Sequence, residues 1–112
     1  MKLKNLFAAV QAHVLWSDPA REDADVLHVI SSDLMSDVLM VDLEHPLLLT
    51  SLVSDQSLRT ANVVGAAAVL VANGKTPPPD MVALARQLGI PLVRTPLAKF
   101  DAAVALGKAL GK

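Results

Sequence analysis

The chain has 112 residues, a formal net charge of −1, an apolar share of 53%, no cysteine and only three aromatic side chains of the Phe, Trp and Tyr types. That length serves one domain with a modest core. The absence of cysteine excludes disulfides, zinc–thiolate sites, iron–sulfur ligation and thiol catalysis within the chain, and near-neutral charge with few aromatics argues against a nucleic-acid partner.

No apolar run reaches the ~18–20 residues needed to cross a bilayer. Met1 to Lys4 lead into a short apolar patch that already carries Gln11 and His13, too weak for a signal peptide, so a cytoplasmic setting and no membrane contact are expected. The apolar share exceeds the roughly 45–50% of ordinary soluble domains. In so small a domain the surplus is expected to reach the surface, with a two-fold homodimer interface as its simplest destination.

The pattern predicts a helix over Leu3–Val10, a strand over His13–Trp16, a polar loop over Pro19–Asp25 and an alternating strand over Val26–Ile30. The stretch Val29–Asp42 then repeats the pair Ser-Asp, as Ser32-Asp33 and Ser36-Asp37. Read as a helix, it is capped by Ser31 or Ser32, carries Asp33 in its first turn and buries Leu34, Met35, Val38 and Leu39. Asp37 has no capping role and stands as a contact across a dimer or a ligand site.

Pro46–Thr50 reads as a buried strand, followed by a helix over Gln56–Val64 that Ser54 or Asp55 caps and Gly65 ends. Ala67–Val71 is the next strand, Asn73-Gly74 a turn, and Asp80–Leu88 a helix opened by Pro77-Pro78-Pro79 and closed by Gly89. In Ile90–Arg94 the proline at position 91 belongs at a strand start or an edge. Thr95-Pro96 opens a last helix, Leu97–Leu110, with Phe100, Ala103, Val104 and Leu110 as apolar positions. Right-handed βαβ crossovers make this an α/β domain of βα units, with a mostly parallel sheet flanked by helices.

Most chemical motifs fail on spacing. Asn73-Gly74-Lys75-Thr76 ends like a phosphate-binding P-loop, but Val69 stands where the first glycine belongs and three prolines follow at once. His13, His28 and His45 are too scattered for a metal motif, and no serine lies in a Gly-x-Ser-x-Gly elbow.

The strand ends offer more. In parallel sheets ligands gather outside the carboxyl ends of the strands, near helix N-termini. Those ends carry Thr50, Ser51 and Ser54, then Asn73, Gly74 and Lys75, then Arg94, Thr95 and Lys99. Such a set suits a phosphate or carboxylate, although caps and turn formers account for the hydroxyls and the Asn more simply. Charge is also divided. Residues 1–55 hold nine acids and three bases; residues 56–112 hold two acids and seven bases. That division fits one half meeting the other half of a partner, an anionic ligand at the C-terminal half, or simply two solvated faces.

From Asp25 to Leu110 the chain resembles the DRTGG domain family in its small single-domain form. The resemblance is carried by Ser32-Asp33-Leu34-Met35-Ser36-Asp37-Val38-Leu39-Met40, Leu48-Leu49-Thr50 and Ala68-Val69-Leu70-Val71-Ala72-Asn73-Gly74-Lys75. Leu84-Ala85, Gly89-Ile90-Pro91-Leu92, Thr95-Pro96-Leu97 and Phe100-Asp101 continue it in the family's order. The namesake Asp-Arg-Thr-Gly-Gly is absent, and Ser57-Leu58-Arg59-Thr60-Ala61-Asn62 occupies a comparable region.

The resemblance implies a single domain similar to the N-terminal domain of HPr kinase, without that enzyme's catalytic P-loop. It also implies a non-catalytic regulatory module of the kind found attached to phosphotransacetylase, between CBS domains of some pyrophosphatases, or alone beside redox-signalling genes. Such domains often dimerise, and their setting implies a protein partner in redox or energy metabolism as well. The expected function is a homodimeric regulatory or interaction module that is not an enzyme and holds no cofactor or metal. The alternative is a sensor of a nucleotide or other anionic metabolite at Thr50, Ser51, Ser54, Asn73, Lys75, Arg94, Thr95 and Lys99. Asp33, Asp37 and Arg59 are the candidate interface or ligand contacts. A hydrolase or phosphotransferase using Asp33 or Asp37 is the least favoured reading, because the pattern supplies neither a cleft nor contrasting environments for two carboxyls.

Overall fold

In the computed structural model, which describes Met1–Lys112, two strands have no residue open to water: Leu47–Thr50 and Ala68–Val71. Continuous apolar runs of this kind suit parallel strands covered on both faces. The elements run α1 (Leu3–Ala9), β1 (His13–Trp16), α2 (Pro19–Glu22), β2 (Val29–Ser31), α3 (Met35–Val38), β3 (Leu47–Thr50), α4 (Asp55–Val64), β4 (Ala68–Val71), α5 (Pro79–Leu88), β5 (Leu92–Arg94) and α6 (Lys99–Ala109).

The five-stranded sheet has the order β1-β5-β4-β3-β2. Strands β2 to β5 are parallel, and β1 is added antiparallel to β5, with a register shift between Val14 and Trp16. The expected α/β architecture with a mostly parallel, helix-flanked sheet is therefore present.

Period-two alternation divides the core in two. Leu47, Leu49, Ala68, Leu70 and Val93 pack with Leu3, Leu6, Phe7 and Val10 of the α1 segment and with Ala102 and Leu106 of α6. Leu48, Val69, Val71 and Leu92 pack on the other face with α3, α4 and α5, through Met35, Val38, Leu58, Ala61, Met81, Leu84 and Ala85. The helices that cross between neighbouring parallel strands thus share one face, while the first and last helices cover the other. Gly65 and Gly89 end α4 and α5 in the left-handed conformation, as their positions predict.

Four local expectations are corrected. Pro19–Glu22 is a helical turn inside the expected loop, because Asp18 accepts from the Ala20 amide at 3.0 Å and Pro19 occupies the first helical position. The strand expected from Val26 begins only at Val29, because the Val26 amide is bonded to Met1 O at 2.8 Å and its side chain packs with α1. Helix α3 begins at Met35, so Asp33 precedes it and Asp37 falls in its first turn. Only Met35 and Val38 are buried there; Leu34 and Leu39 are 59% and 51% exposed.

The fourth correction concerns α6. Ala102 and Leu106, one helical turn apart, face the sheet, which leaves Phe100 at 76% exposure and Val104 at 38%. An alanine at the contact lets the helix approach closely, and it is Phe100 and Val104 that are turned outward.

Leu70 sits fully buried at the middle of the sheet. Leu70→Ala is expected to lower unfolding stability by about 2–5 kcal/mol, whereas the exposed Phe100→Ala changes it by less than about 0.5 kcal/mol. Urea denaturation of the two variants beside the parent chain checks both values.

Candidate functional site

Parallel strands bring their carboxyl ends to one side, and here that side gathers Ser32-Asp33, Thr50-Ser51, Asn73-Gly74 and Arg94-Thr95. The Ser32 hydroxyl closes a local turn, accepting from the Leu34 amide at 3.1 Å, and so holds Asp33 outside the helix. The Asp33 carboxylate then reaches over the end of β3. Its Oδ1 accepts from the Ser51 amide at 2.7 Å and the Thr50 hydroxyl at 3.1 Å; its Oδ2 accepts from the Ser51 hydroxyl at 2.7 Å. The Lys99 ammonium lies 3.2 Å from Oδ2.

Partial burial pushes the Asp33 carboxyl up. The Ser51 amide and hydroxyl, Lys99 and the Thr50 hydroxyl outweigh it and hold the group well below the usual carboxylate range. Asp33 is therefore a permanent anion at neutral pH, bound by the donors that would otherwise be offered to a ligand oxyanion.

Other expected site residues are also committed within the chain. Lys75 Nζ donates to Ser51 O at 3.0 Å. Asn73 Oδ1 accepts from the Lys99 amide at 3.1 Å, which caps α6 from another element, since Ala98 offers no side-chain cap. Asn73 and Gly74 both adopt left-handed conformations and form the expected turn, tied to the β5 loop by Asn73 N to Leu97 O at 2.8 Å and Gly74 N to Thr95 O at 2.9 Å.

Thr50 and Thr95 are fully buried. The Thr95 hydroxyl donates to Val10 O at 2.6 Å and accepts from the Leu97 amide, so both threonines join elements and present no hydroxyl to solvent. Ser54 precedes α4 but makes no capping bond, and its Oγ is buried without a partner. Asp37 and Arg59 are exposed, and neither takes part in an ion pair.

Arg94 leads to a separate feature. Its Nη1 donates to Thr76 Oγ1 at 2.7 Å, and the residue lines a cleft of about 460 Å³ together with Gln11, His13, Gly74 and Pro96. Three of these five, Gln11, His13 and Arg94, carry polar side chains. The cleft lies at a point where connections diverge, because β4 leads into α5 on one face of the sheet and β5 into α6 on the other.

Gln11, His13 and Pro96 were not legible as site residues. His13 arrives opposite Arg94 only through the antiparallel β1–β5 pairing, a contact between the two ends of the chain that no local pattern announces. No group of three or more His, Cys, Asp or Glu side chains is arranged to hold a metal ion, and no helix is long and apolar enough to cross a membrane.

Comparison with solved structures finds this fold in the CBS and DRTGG domains of the regulatory region of the Clostridium perfringens pyrophosphatase, crystallised with its activator diadenosine tetraphosphate. The TM-score is 0.73 over 94% of this chain. The fold is shared. Sequence identity is 16%, and this chain spans 45% of that one, under half its length. No protein-family model and no curated protein sequence matches the chain.

Two substitutions test this description. A carboxyl depressed by its folded surroundings stabilises the fold above its unfolded pKa of ~3.9, and the effect is lost as pH falls through the folded value. Asp33→Asn is therefore expected to be less stable than the parent at neutral pH, with the gap narrowing below about pH 4; thermal melts across the acid range read this out. Ser54→Ala removes a buried hydroxyl with no partner, so it is expected to leave stability unchanged or raised. An ordinary N-cap serine loses about 0.5–2 kcal/mol on the same change, and urea unfolding distinguishes the cases.

Proposed function

We propose that the chain is a non-catalytic, cytoplasmic regulatory module of the DRTGG type that senses a nucleotide or a related anion. The observation that carries this reading is the contrast between two places at the carboxyl ends of the strands. At the first, Asp33 occupies the Thr50 hydroxyl and the amide and hydroxyl of Ser51 at the start of the β3–α4 loop. At the second, Arg94 and the exposed His13 line a polar cleft, and neither has a carboxylate partner.

A guanidinium with donors to spare beside an imidazole suits a phosphate oxygen. The pyrophosphatase regulatory region that shares the fold is activated by a dinucleoside polyphosphate, which supports a nucleotide as the ligand class. A catalytic reading has less support: the one carboxylate with a shifted pKa at these strand ends is stabilised as an anion and is unsuited to carrying a proton at neutral pH.

A second reading, that of a homodimeric interaction module serving a protein partner in redox or energy metabolism, is favoured by the number of large apolar side chains left exposed. The two readings are compatible, since a module can both bind a ligand and pair.

Thermal shift with diadenosine tetraphosphate, mononucleotides and inorganic phosphate tests the sensor. A ligand that binds only the folded chain is expected to add ~2.7 kcal/mol of stability at a hundredfold excess over Kd. Arg94→Ala is expected to remove that shift while leaving the melting temperature of the free chain within about a degree or two, as for a surface change. No shift with any of these anions in the parent chain would refute the sensor reading.

A further inference from the structure

The Asp33 carboxylate sits in a cradle whose shape is set by other contacts. Thr50 is fully buried, and its hydroxyl, which donates to Asp33 Oδ1, accepts from the Leu52 amide at 3.1 Å. The Ala72 amide donates to Thr50 O, the Lys75 ammonium to Ser51 O and the Lys99 amide to Asn73 Oδ1. None of these bonds involves Asp33, so the donors keep their places when that side chain leaves. A site fixed in advance spends little ordering entropy when an anion enters it.

Asp33 itself is held less firmly. It lies between the end of β2 and the one-turn helix α3, in the turn that Ser32 closes, and its side chain is 48% exposed. Every contact it makes in the cradle is made by the carboxylate. Rotation of that side chain into water therefore frees the cradle without breaking a bond between backbone groups.

The charges are also unequal. The ammonium groups of Lys75 and Lys99 both bond at this loop end, against the single carboxylate of Asp33. A dianion balances them more closely, and charge-assisted bonds to phosphate oxygens are among the strong ones.

We propose that the end of β3 is a phosphate site which the chain's own Asp33 keeps occupied. A phosphate dianion, free or at the end of a phosphate monoester, displaces the carboxylate and takes over the Ser51 amide, the Ser51 and Thr50 hydroxyls and Lys99. The site is separate from the Arg94 cleft. Asp33 acts as its gate, because the apparent dissociation constant is the intrinsic one divided by the fraction of chains whose gate is open.

Titration with inorganic phosphate at constant ionic strength, followed at the Ser51 amide by nuclear magnetic resonance, tests this. The parent chain is expected to respond, and Asp33→Ala to bind with a dissociation constant lower by about tenfold or more. Asp33→Asn, which keeps the side chain's shape, is expected to fall between them, and it serves where Asp33→Ala does not fold. Phosphate is also expected to restore part of the stability that Asp33→Asn loses at neutral pH. Adding Lys99→Ala to Asp33→Asn is expected to abolish the gain, whereas Arg94→Ala leaves the Ser51 response intact and so separates this site from the cleft. AMP in place of inorganic phosphate distinguishes a monoester from the free ion. Asp37→Asn removes an exposed charge on α3 without freeing a donor and is expected to leave the affinity unchanged. An equal gain from Asp37→Asn, or a Ser51 amide that phosphate does not move in the Asp33 variants or in the parent, would overturn the proposal.

Discussion

Burying β3 and β4 on both faces is the constraint from which the rest of the architecture follows. Neither strand has a water-facing side, so each face needs a layer of helices, and right-handed crossovers between neighbouring parallel strands assign α3, α4 and α5 to one of them. The other face is left to α1 and α6 from the two ends of the chain. That division sends the connections after β4 and β5 apart, and the polar cleft at Arg94 lies where they separate. It also leaves β2 at the rim, with its outer side uncovered by any strand.

The carboxyl ends of the strands are closed by polar contacts within the chain. Asp33 binds the end of β3 and the start of α6, Lys75 binds Ser51, and Asn73 caps α6. Each contact joins the loop of one strand to that of another, so together they fix the spacing of the loops. The Asp33 site has the donors of an oxyanion pocket, but its anion belongs to the protein. A loop surface built this way is rigid around its middle and has its accessible basic groups toward β5 and β1.

The exposed apolar side chains have a related origin. A helix of one turn, α3, covers its part of the sheet with only Met35 and Val38, so the neighbouring Leu34 and Leu39 have no core to enter. In α6 the buried positions are Ala102 and Leu106, and Phe100 is turned outward. Composition already shows a surplus of apolar residues. Where that surplus emerges depends on helix length and rotation, which are set by packing.

The sequence by itself determined the α/β class, most of the strands, the two glycine-ended helices, the turn at Asn73-Gly74 and the failure of the P-loop, because each follows from local periodicity, turn chemistry or spacing. The residues near the strand ends were also legible, since a βα pattern places them there. The tertiary structure decided what those residues do. Asp33 reads locally as a first-turn helix acid, yet donors from β3, its loop and α6 draw it into a long-range clamp. Thr95 reads as an exposed loop hydroxyl, yet it is buried against Val10. His13 joins Arg94 only because β1 closes the sheet antiparallel to β5. These contacts link residues far apart in the chain, and their energies depend on distances that only the folded sheet sets. The Ser-Asp repeat accordingly divides in the folded chain: Asp33 serves the clamp, and Asp37 stays exposed in the first turn of α3.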